Sequence, residues 1–343
     1  MRRRALLRAG LALGGSAIGA GVAAACAPAS AGGVSNVALG PPESTTVRIV
    51  SVACDPALWS ADDYLKEEGF SDARILPLAV GAVARGDGDI GVGYTQWIVT
   101  NVDAGKPVVA LAGLHTGCGE VWTRPGISSI SDLKGKTIDV LSTDAVIDAW
   151  YGVWAALLGH VGIDPRKDVN FVADPNANTV ERFIQGRSDA ILALSNQVPV
   201  LRASPNNPGK LLIDMHSDGT WSRYYCCQLV ANRDWARQNP IATKRATRAL
   251  LRANDRVAKD PAAAVMAGVN AGMFTGAMYD TVLATLKNCT FEWRELDAEA
   301  SIRFNAVQLS DQKLVKGTPQ QLVAQASSFG YLKELKRQFP GAN

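Results

Sequence analysis

The sequence predicts an α/β protein with two lobes and a helical C-terminal region. From Thr46 onward, short runs rich in β-branched residues alternate with longer helical runs, which is the pattern of βα units with parallel strands. A second series of the same kind begins at Thr137, and after Ala231 the chain is almost entirely helical. Two sheets in series predict two lobes with a cleft between them.

Residues 1–25 are predicted to be an export signal. Four arginines among the first eight residues precede an apolar run at 9–25, which is shorter than the roughly 20 residues of a membrane-spanning helix. Small residues before Cys26 resemble a bacterial lipoprotein cleavage site, which implies that Cys26 becomes a lipidated N-terminus. An ordinary cleaved signal with an incidental cysteine is the alternative. Arg3-Arg4 also resembles a twin-arginine signal, so export by the twin-arginine route or by the general secretory (Sec) route stays open.

Residues 26–45 are predicted to be a disordered tether. They are small residues with Pro41-Pro42 and almost no bulky apolar side chains, so they cannot bury enough surface to fold. With lipid on Cys26, the protein would be held at the outer face of the cytoplasmic membrane or in the periplasm. A disordered N-terminus without a role is the alternative.

The composition argues against a nucleic-acid partner. The net charge of +3 includes the four leader arginines, so the mature chain is close to neutral. Of the six cysteines, five remain once Cys26 carries lipid. This odd number means at least one free thiol or an intermolecular bond, so the chain is not a disulfide scaffold.

The first series predicts the elements of one lobe. Asp55-Pro56 opens a helix that Gly69 ends. The run at 107–114 is wholly apolar, as in a strand buried on both faces. Strands are predicted at 46–52, 73–78, 89–92 and 107–114, and helices at 57–69 and from 97 to about 104.

The second series predicts the other lobe and is followed by the helical region. Pro, Gly and Asn residues separate the C-terminal helices. Strands are predicted at 137–141, 170–172, 190–194 and 224–231, and helices at 145–162, 179–186, 241–259, 261–271, 278–286, 298–307 and 319–329.

The cleft wall is predicted from the loops that follow the strands. In open α/β sheets, ligands bind beyond the carboxyl ends of the strands, where loops and helix N-termini converge. Six segments meet this description: 53–59, 93–97, 115–119, 142–144, 195–197 and 222–226.

Polar and aromatic side chains in these segments are the candidate ligand contacts. Tyr94, Thr95 and Gln96 place hydroxyl and amide groups beside a helix N-terminus, which suits an anion. Arg223 is the only arginine in the six segments and is predicted to pair with a sulfonate, carboxylate or phosphate. The predicted ligand-binding residues are Asp55, Trp59, Tyr94, Thr95, Gln96, His115, Ser142, Thr143, Asp144, Ser195, Asn196, Arg223 and Tyr224.

Structural roles compete with binding at several of these positions. Asp55 before a proline is a common helix entry, and Ser142–Asp144 can cap the helix that follows. Trp59 can be a core residue, and Arg223 a surface arginine. With three histidines and no HxH, HExxH or CxxC spacing, we predict no metal site, no cofactor and no catalytic residues.

Leu111–Val140 resembles a segment of the nitrate/sulfonate/taurine-type solute-binding proteins. Further matches are Gly162–Pro165, Cys226–Arg233 and Pro240–Arg252. The resemblance implies a two-lobed, periplasmic-binding-protein-like fold of type II, with two crossings between the lobes. It also implies a monomer that binds a small organic molecule and delivers it to the permease and ATPase of an ABC importer. The implied lobes are 46–117 with 230–343, and 118–229.

The same resemblance places His115, Cys118 and Cys226-Cys227 on the two crossings. A disulfide from Cys118 to Cys226 or to Cys227 is expected there, with buried thiols or a strained 226–227 bond as the alternatives. His115 is then expected to be a hinge histidine.

Two other functions stay open at this point. A thiamine-pyrimidine synthase with the same fold resembles these proteins and uses a cysteine-rich iron motif near Tyr224–Cys227. Only two cysteines stand here, and an export leader does not suit a cytosolic enzyme. A receptor lobe that senses its ligand instead of transporting it is the other possibility.

Overall fold

The computed structural model describes residues 40–51, 55–77, 81–194 and 196–339. The predicted export signal, Cys26 and most of the predicted tether therefore lie outside the described residues. Among the residues that are described, no helix is long and apolar enough to cross a membrane.

The end of the predicted tether is ordered, in contrast to the prediction for 26–45. Both carboxylate oxygens of Glu43 accept backbone N–H groups, from Ile241 at 3.0 Å and Ala242 at 2.9 Å. The guanidinium of Arg245 also donates to the Gly40 carbonyl. These N–H groups begin a helix and have no partner within it, so a carboxylate there fixes the preceding chain.

The strands and helices follow the predicted alternation. The strands are β1 Thr46–Val50, β2 Asp72–Leu76, β3 Ile90–Tyr94, β4 Val108–His115, β5 Gly119–Thr123, β6 Thr137–Val140, β7 Asn170–Ala173, β8 Ala190–Leu194, β9 Lys210–Asp214 and β10 Cys227–Asn232. The helices are α1 Pro56–Trp59, α2 Asp62–Glu67, α3 Gly81–Arg85, α4 Thr95–Asp103, α5 Ala149–His160, α6 Thr179–Ile184, α7 Val198–Ala203, α8 Arg233–Gln238, α9 Pro240–Lys259, α10 Pro261–Asn270, α11 Tyr279–Lys287, α12 Ala298–Asp311, α13 Pro319–Ala326 and α14 Gly330–Gln338.

The strands form two sheets of the same design. The first has the order β2-β1-β3-β10-β4 and the second β7-β6-β8-β5-β9. In each sheet one strand runs antiparallel to its neighbours: β10 in the first and β5 in the second. These are the strands by which the chain enters each sheet after leaving the other. The α/β fold with two sheets and a helical C-terminal region is thus confirmed.

The chain passes between the sheets twice, at residues 116–118 and at 215–226. Gly117 in the first crossing has a φ of 81°, and a Cβ there would lie 2.6 Å from the Asn288 carbonyl oxygen. The second crossing ends at Cys226, so the predicted boundary at 229–230 falls inside β10, which belongs to the first sheet.

Two predicted helices have different bounds because side chains compete for their backbone groups. The helix predicted at 57–69 is divided into α1 and α2, where the Ser60 hydroxyl donates to the Pro56 carbonyl at 2.7 Å. The helix predicted at 145–162 begins at Ala149, because Asp148 caps it by accepting the Trp150 N–H at 2.9 Å.

Separate apolar cores support the two sheets. The C-terminal helices cover the first sheet, and Leu250, Ile302 and Leu322 are buried in its core. On the second sheet, Trp154 and Phe183 belong to two smaller clusters. The junction between the sheets is therefore the place where polar and aromatic groups from both can meet.

Candidate functional site

An inner cavity of about 30 Å³ lies between the two sheets. Its walls come from the end of β3, from α4 and α5, from both crossings and from α12. At this volume it has room for a water molecule or two but not for an organic solute, so the sheets are close together. The lining residues are Tyr94, Gln96, Gly117, Cys118, Trp150, Val153, Met215, Trp221, Tyr224, Tyr225, Cys226, Phe304 and Asn305.

Two further cavities border the inner one. An outer groove of about 550 Å³ is lined by α3, α4 and the segment that leads into α5. A second-sheet pocket of about 150 Å³ lies at the carboxyl ends of β6 and β8. Trp150 lines all three, and Tyr94 lines the inner cavity and the outer groove.

Tyr94 and Trp150 form an aromatic pair between the sheets. Their ring centroids are 4.5 Å apart with an interplanar angle of 60°. Tyr94 ends β3 of the first sheet, whereas Trp150 is placed by Asp148, whose carboxylate also accepts the Leu141 N–H at the end of β6. Separation of the sheets would separate the two rings and open the inner cavity to the outer groove.

The opposite wall of the inner cavity is also aromatic. Tyr224 stacks on Phe304 with centroids 4.1 Å apart and an interplanar angle of 11°, and Trp221 meets Phe304 edge-on at 5.5 Å. Such faces bind planar or apolar groups.

Amide groups provide the polarity of this cavity. Gln96 lines it and is buried. The Asn305 side chain donates to the Ser301 carbonyl at 2.9 Å, but its Oδ1 is buried without a hydrogen-bond partner among the described residues. A buried acceptor without a partner costs about 1–3 kcal/mol of free energy. A ligand N–H group that donates to Asn305 Oδ1 would recover this cost.

Charged side chains are found in the outer groove instead. The described residues that line the inner cavity include no Asp, Glu, Lys or Arg. Arg85, Lys106 and Asp148 line the outer groove, and Arg85 pairs with Asp87 at 2.8 Å. Arg223 is exposed and is not among the lining residues of either cavity.

The structure brings three of the predicted ligand-binding residues together at the inner cavity: Tyr94, Gln96 and Tyr224. Thr95 lies beside them but is buried, and its hydroxyl donates to the Tyr225 carbonyl at 2.6 Å. Thr95 therefore fastens the second crossing to α4.

The other predicted residues lie elsewhere. Trp59 is a core residue, with Nε1 donating to the Ala264 carbonyl at 3.2 Å. A turn before α5 contains Ser142, Thr143 and Asp144, and in it the Asp144 N–H donates to the Ser142 hydroxyl. These residues do not cap α5, because Asp148 is its N-cap. Asn196 is exposed, and Ser195 lies outside the described residues.

Tyr225 secures the second crossing from within the first core. Its hydroxyl donates to the Glu292 carbonyl at 2.5 Å, and its backbone N–H donates to the Ser301 hydroxyl at 3.0 Å. Burial raises the pKa of Tyr225 well above its ordinary value, so the phenol stays a neutral donor.

His115 and Asp55 are buried together at the first crossing. His115 Nε2 lies 3.5 Å from an Asp55 carboxylate oxygen. His115 Nδ1 lies 3.5 Å from Cys118 Sγ and 3.7 Å from Cys226 Sγ. These two residues thus belong to the passage between the sheets and not to the lining of the inner cavity.

Cys118 and Cys226 form a disulfide between the two crossings, with Cα atoms 6.1 Å apart. This is one of the two pairings that the sequence left open. The sulfurs of Cys118, Cys226 and Cys227 and a ring nitrogen of His115 all lie within 4.8 Å of one another. Three thiolates and an imidazole can hold zinc, but the disulfide removes two of the thiolates. No local spacing motif indicated this group, because its members come from segments over 100 residues apart.

Half of the aromatic lining lies outside the six predicted segments. Trp150 falls in the interior of the helix predicted at 145–162, although Asp148 before an apolar run is a recognisable N-cap signal. Trp221 lies just before the predicted segment 222–226. Phe304 and Asn305 are on a C-terminal helix whose place against the second crossing has no local signal.

Solved structures share this fold. The alkanesulfonate-binding protein SsuA from Xanthomonas axonopodis pv. citri, solved with MOPS, is 17% identical, with a TM-score of 0.64 over 83% of this chain and 98% of that one. The periplasmic nitrate-binding protein NrtA from Synechocystis PCC 6803 is 13% identical, with a TM-score of 0.67 over 88% of this chain and 90% of that one. A Candida albicans gene product described as having the generic periplasmic binding protein fold is 13% identical, with a TM-score of 0.62 over 82% and 95%.

The two sheets and their two crossings therefore define a periplasmic-binding-protein fold. The sequence pattern of the family described as NMT1/THI5 like matches residues 62–264, more than half of the chain. The chain belongs to this family. No curated protein sequence matches this chain.

Proposed function

We propose that this protein is an exported solute-binding protein that captures a small organic molecule between two lobes and delivers it to an ABC importer. The observation that carries the proposal is the position of Trp150, which borders three cavities at the junction of the sheets. The lobes proposed are 46–117 with 227–343, and 118–226.

Capture would proceed by lobe closure. Tyr94 and Trp150 belong to different sheets, so opening of the lobes parts them and exposes the faces that line the inner cavity. A solute that enters between the two rings would be enclosed on closure, because aromatic residues and amides surround the space.

The lining favours a ligand with a planar ring and an N–H donor. Tyr94, Trp150, Tyr224 and Phe304 offer aromatic faces, and Asn305 Oδ1 offers an acceptor. An anionic ligand, as predicted from the sequence, is the second candidate, because Arg85 and Lys106 line the outer groove. Of the similar proteins named above, SsuA is an alkanesulfonate-binding protein and NrtA a nitrate-binding protein.

A thermal-shift screen of the full-length protein with matched compounds tests the proposal. Benzamide, benzylamine, benzoate and benzenesulfonate share one ring and differ in polar group, while taurine and nitrate are anions without a ring. A ligand at 100 times its Kd stabilises by about 2.7 kcal/mol, or roughly 5–10 °C in Tm. We expect a ring amide to give the largest shift. The proposal is contradicted if no compound raises the Tm, or if any compound is converted to product.

Arg223→Ala tests the anionic alternative. If Arg223 pairs with an anionic group of the ligand, the substitution should weaken binding of benzenesulfonate or taurine by more than about tenfold, measured by calorimetry. Arg187→Ala, which removes an exposed arginine between α6 and β8 and so away from the second crossing, is the control. Unchanged affinity would remove Arg223 from the site and leave the solute-binding proposal in place.

Membrane attachment is proposed through lipid on Cys26. Cys26→Ala should move the protein from the membrane fraction to the soluble fraction, because an unlipidated chain has lost its anchor. The same fractionation of Cys289→Ala is the control. Retention of Cys26→Ala at the membrane would show that lipid on this residue is not the anchor.

A further inference from the structure

Three cysteines meet where the chain passes between the sheets. Cys118 belongs to the first crossing, Cys226 ends the second, and Cys227 begins β10, where it pairs with Tyr94 and His115. Cys118 and Cys226 form the disulfide, and Cys227 lies outside that bond. The Cys227 sulfur is 3.3 Å from the Cys118 sulfur. Reacting atoms held about 3–3.5 Å apart are in a near-attack arrangement.

We propose that Cys118, Cys226 and Cys227 form a thiol–disulfide exchange site, in which Cys227 attacks Cys118 and releases Cys226 as a thiol in the wall of the inner cavity. This activity is separate from solute binding and uses a site that lies beside the Tyr94–Trp150 pair.

The exchange is balanced within the protein. The Cys227 thiol gives up its proton, and its sulfur forms a bond to Cys118 Sγ as the bond from Cys118 to Cys226 breaks. The electron pair of the broken bond stays on Cys226, which becomes a thiolate and then takes up a proton. One disulfide and one thiol are present before and after, so no outside oxidant or reductant is needed.

His115 is placed to carry the proton. One of its ring nitrogens lies within 4.8 Å of all three sulfurs, and Nδ1 is 3.7 Å from the sulfur that leaves. Asp55, whose carboxylate is 3.5 Å from Nε2, supports the positive charge while the ring holds the proton. A neighbouring base of this kind increases the thiolate fraction of a buried cysteine.

The exchange changes what the cavity presents to a solute. Cys118 and Cys226 line the inner cavity, whereas Cys227 is buried and is not among its lining residues. Transfer of the bond from Cys226 to Cys227 therefore moves the thiol from the core into the cavity wall, where a small electrophile can reach it once the sheets separate as described under the proposed function.

Alkylation mapping of the native full-length protein tests this site. A small maleimide is added without reductant, and peptide fragmentation then locates the label and the disulfide. We expect label on Cys226 together with a Cys118–Cys227 bond. Labelling of Cys226 should be at least about tenfold faster than labelling of the buried Cys289. Label on Cys227 with the Cys118–Cys226 bond intact overturns the proposal, as does labelling of Cys226 no faster than of Cys289.

Variants separate exchange from simple exposure. Cys226→Ser should contain a Cys118–Cys227 bond, and Cys227→Ser should keep Cys118–Cys226 and lose the native label. Cys289→Ser is the matched control and should label as the wild type does. A background with both Cys54→Ser and Cys289→Ser leaves the three cysteines of the site and Cys26, whose label peptide fragmentation assigns separately. Two alkylatable thiols at Cys118 and Cys227 in Cys226→Ser would contradict exchange, and the wild-type map decides if a variant does not fold.

Discussion

Replacement of Trp150 by alanine is expected to weaken ligand binding by roughly 30-fold or more, equivalent to about 2 kcal/mol. Trp150 contacts Tyr94 across the junction and borders all three cavities, so its loss removes the main wall against which a solute would be enclosed. The ligand is the compound that gives the largest thermal shift, and calorimetry gives its Kd.

Trp235→Ala is the matched control. Trp235 is half-buried on α8 and is not among the residues that line the three cavities, so its removal should lower stability while leaving Kd within about twofold. Equal losses of affinity in the two variants would mean that binding does not depend on the Tyr94–Trp150 junction.

Gly113→Ala is expected to destabilise the protein by about 3 kcal/mol or more. An alanine Cβ at this position in β4 would lie 2.2 Å from ring carbons of Tyr225. The ring has little freedom to move, because its hydroxyl is bonded to the Glu292 carbonyl and its backbone to Ser301. Denaturant unfolding measures the loss.

Gly276→Ala provides the control, since a Cβ there meets no atom within 4 Å. Its free energy of unfolding should differ from that of the wild type by less than about 1 kcal/mol. Adding Tyr225→Leu to Gly113→Ala should recover part of the loss, because the clash is between these two residues. Equal stability of Gly113→Ala and Gly276→Ala would contradict this account of the second crossing.

Tyr225 links the second crossing to the inner cavity. It is buried in the first core, where its hydrogen bonds fix the chain, and it borders the inner cavity together with its neighbours Tyr224 and Cys226. Damage to the anchor at Tyr225 is therefore expected to alter the cavity as well.

Local sequence determined the order of the elements and the class of fold. The β-branched run of β1, the apolar runs of β4 and β8, and proline starts such as Pro261 are signals carried by neighbouring residues. Tyr94, Gln96 and Tyr224 could be placed near a cleft because loops after strands converge in this kind of fold.

The tertiary structure alone decided which side chains meet. Trp150, Phe304 and Asn305 reach the inner cavity from helices, and β5 and β10 join their sheets antiparallel after crossings. Cys118 and Cys226 pair across a sequence separation of 108 residues. Helical and strand periodicity depend on residues a few positions apart, whereas these contacts depend on how distant elements pack, so no local pattern could specify them.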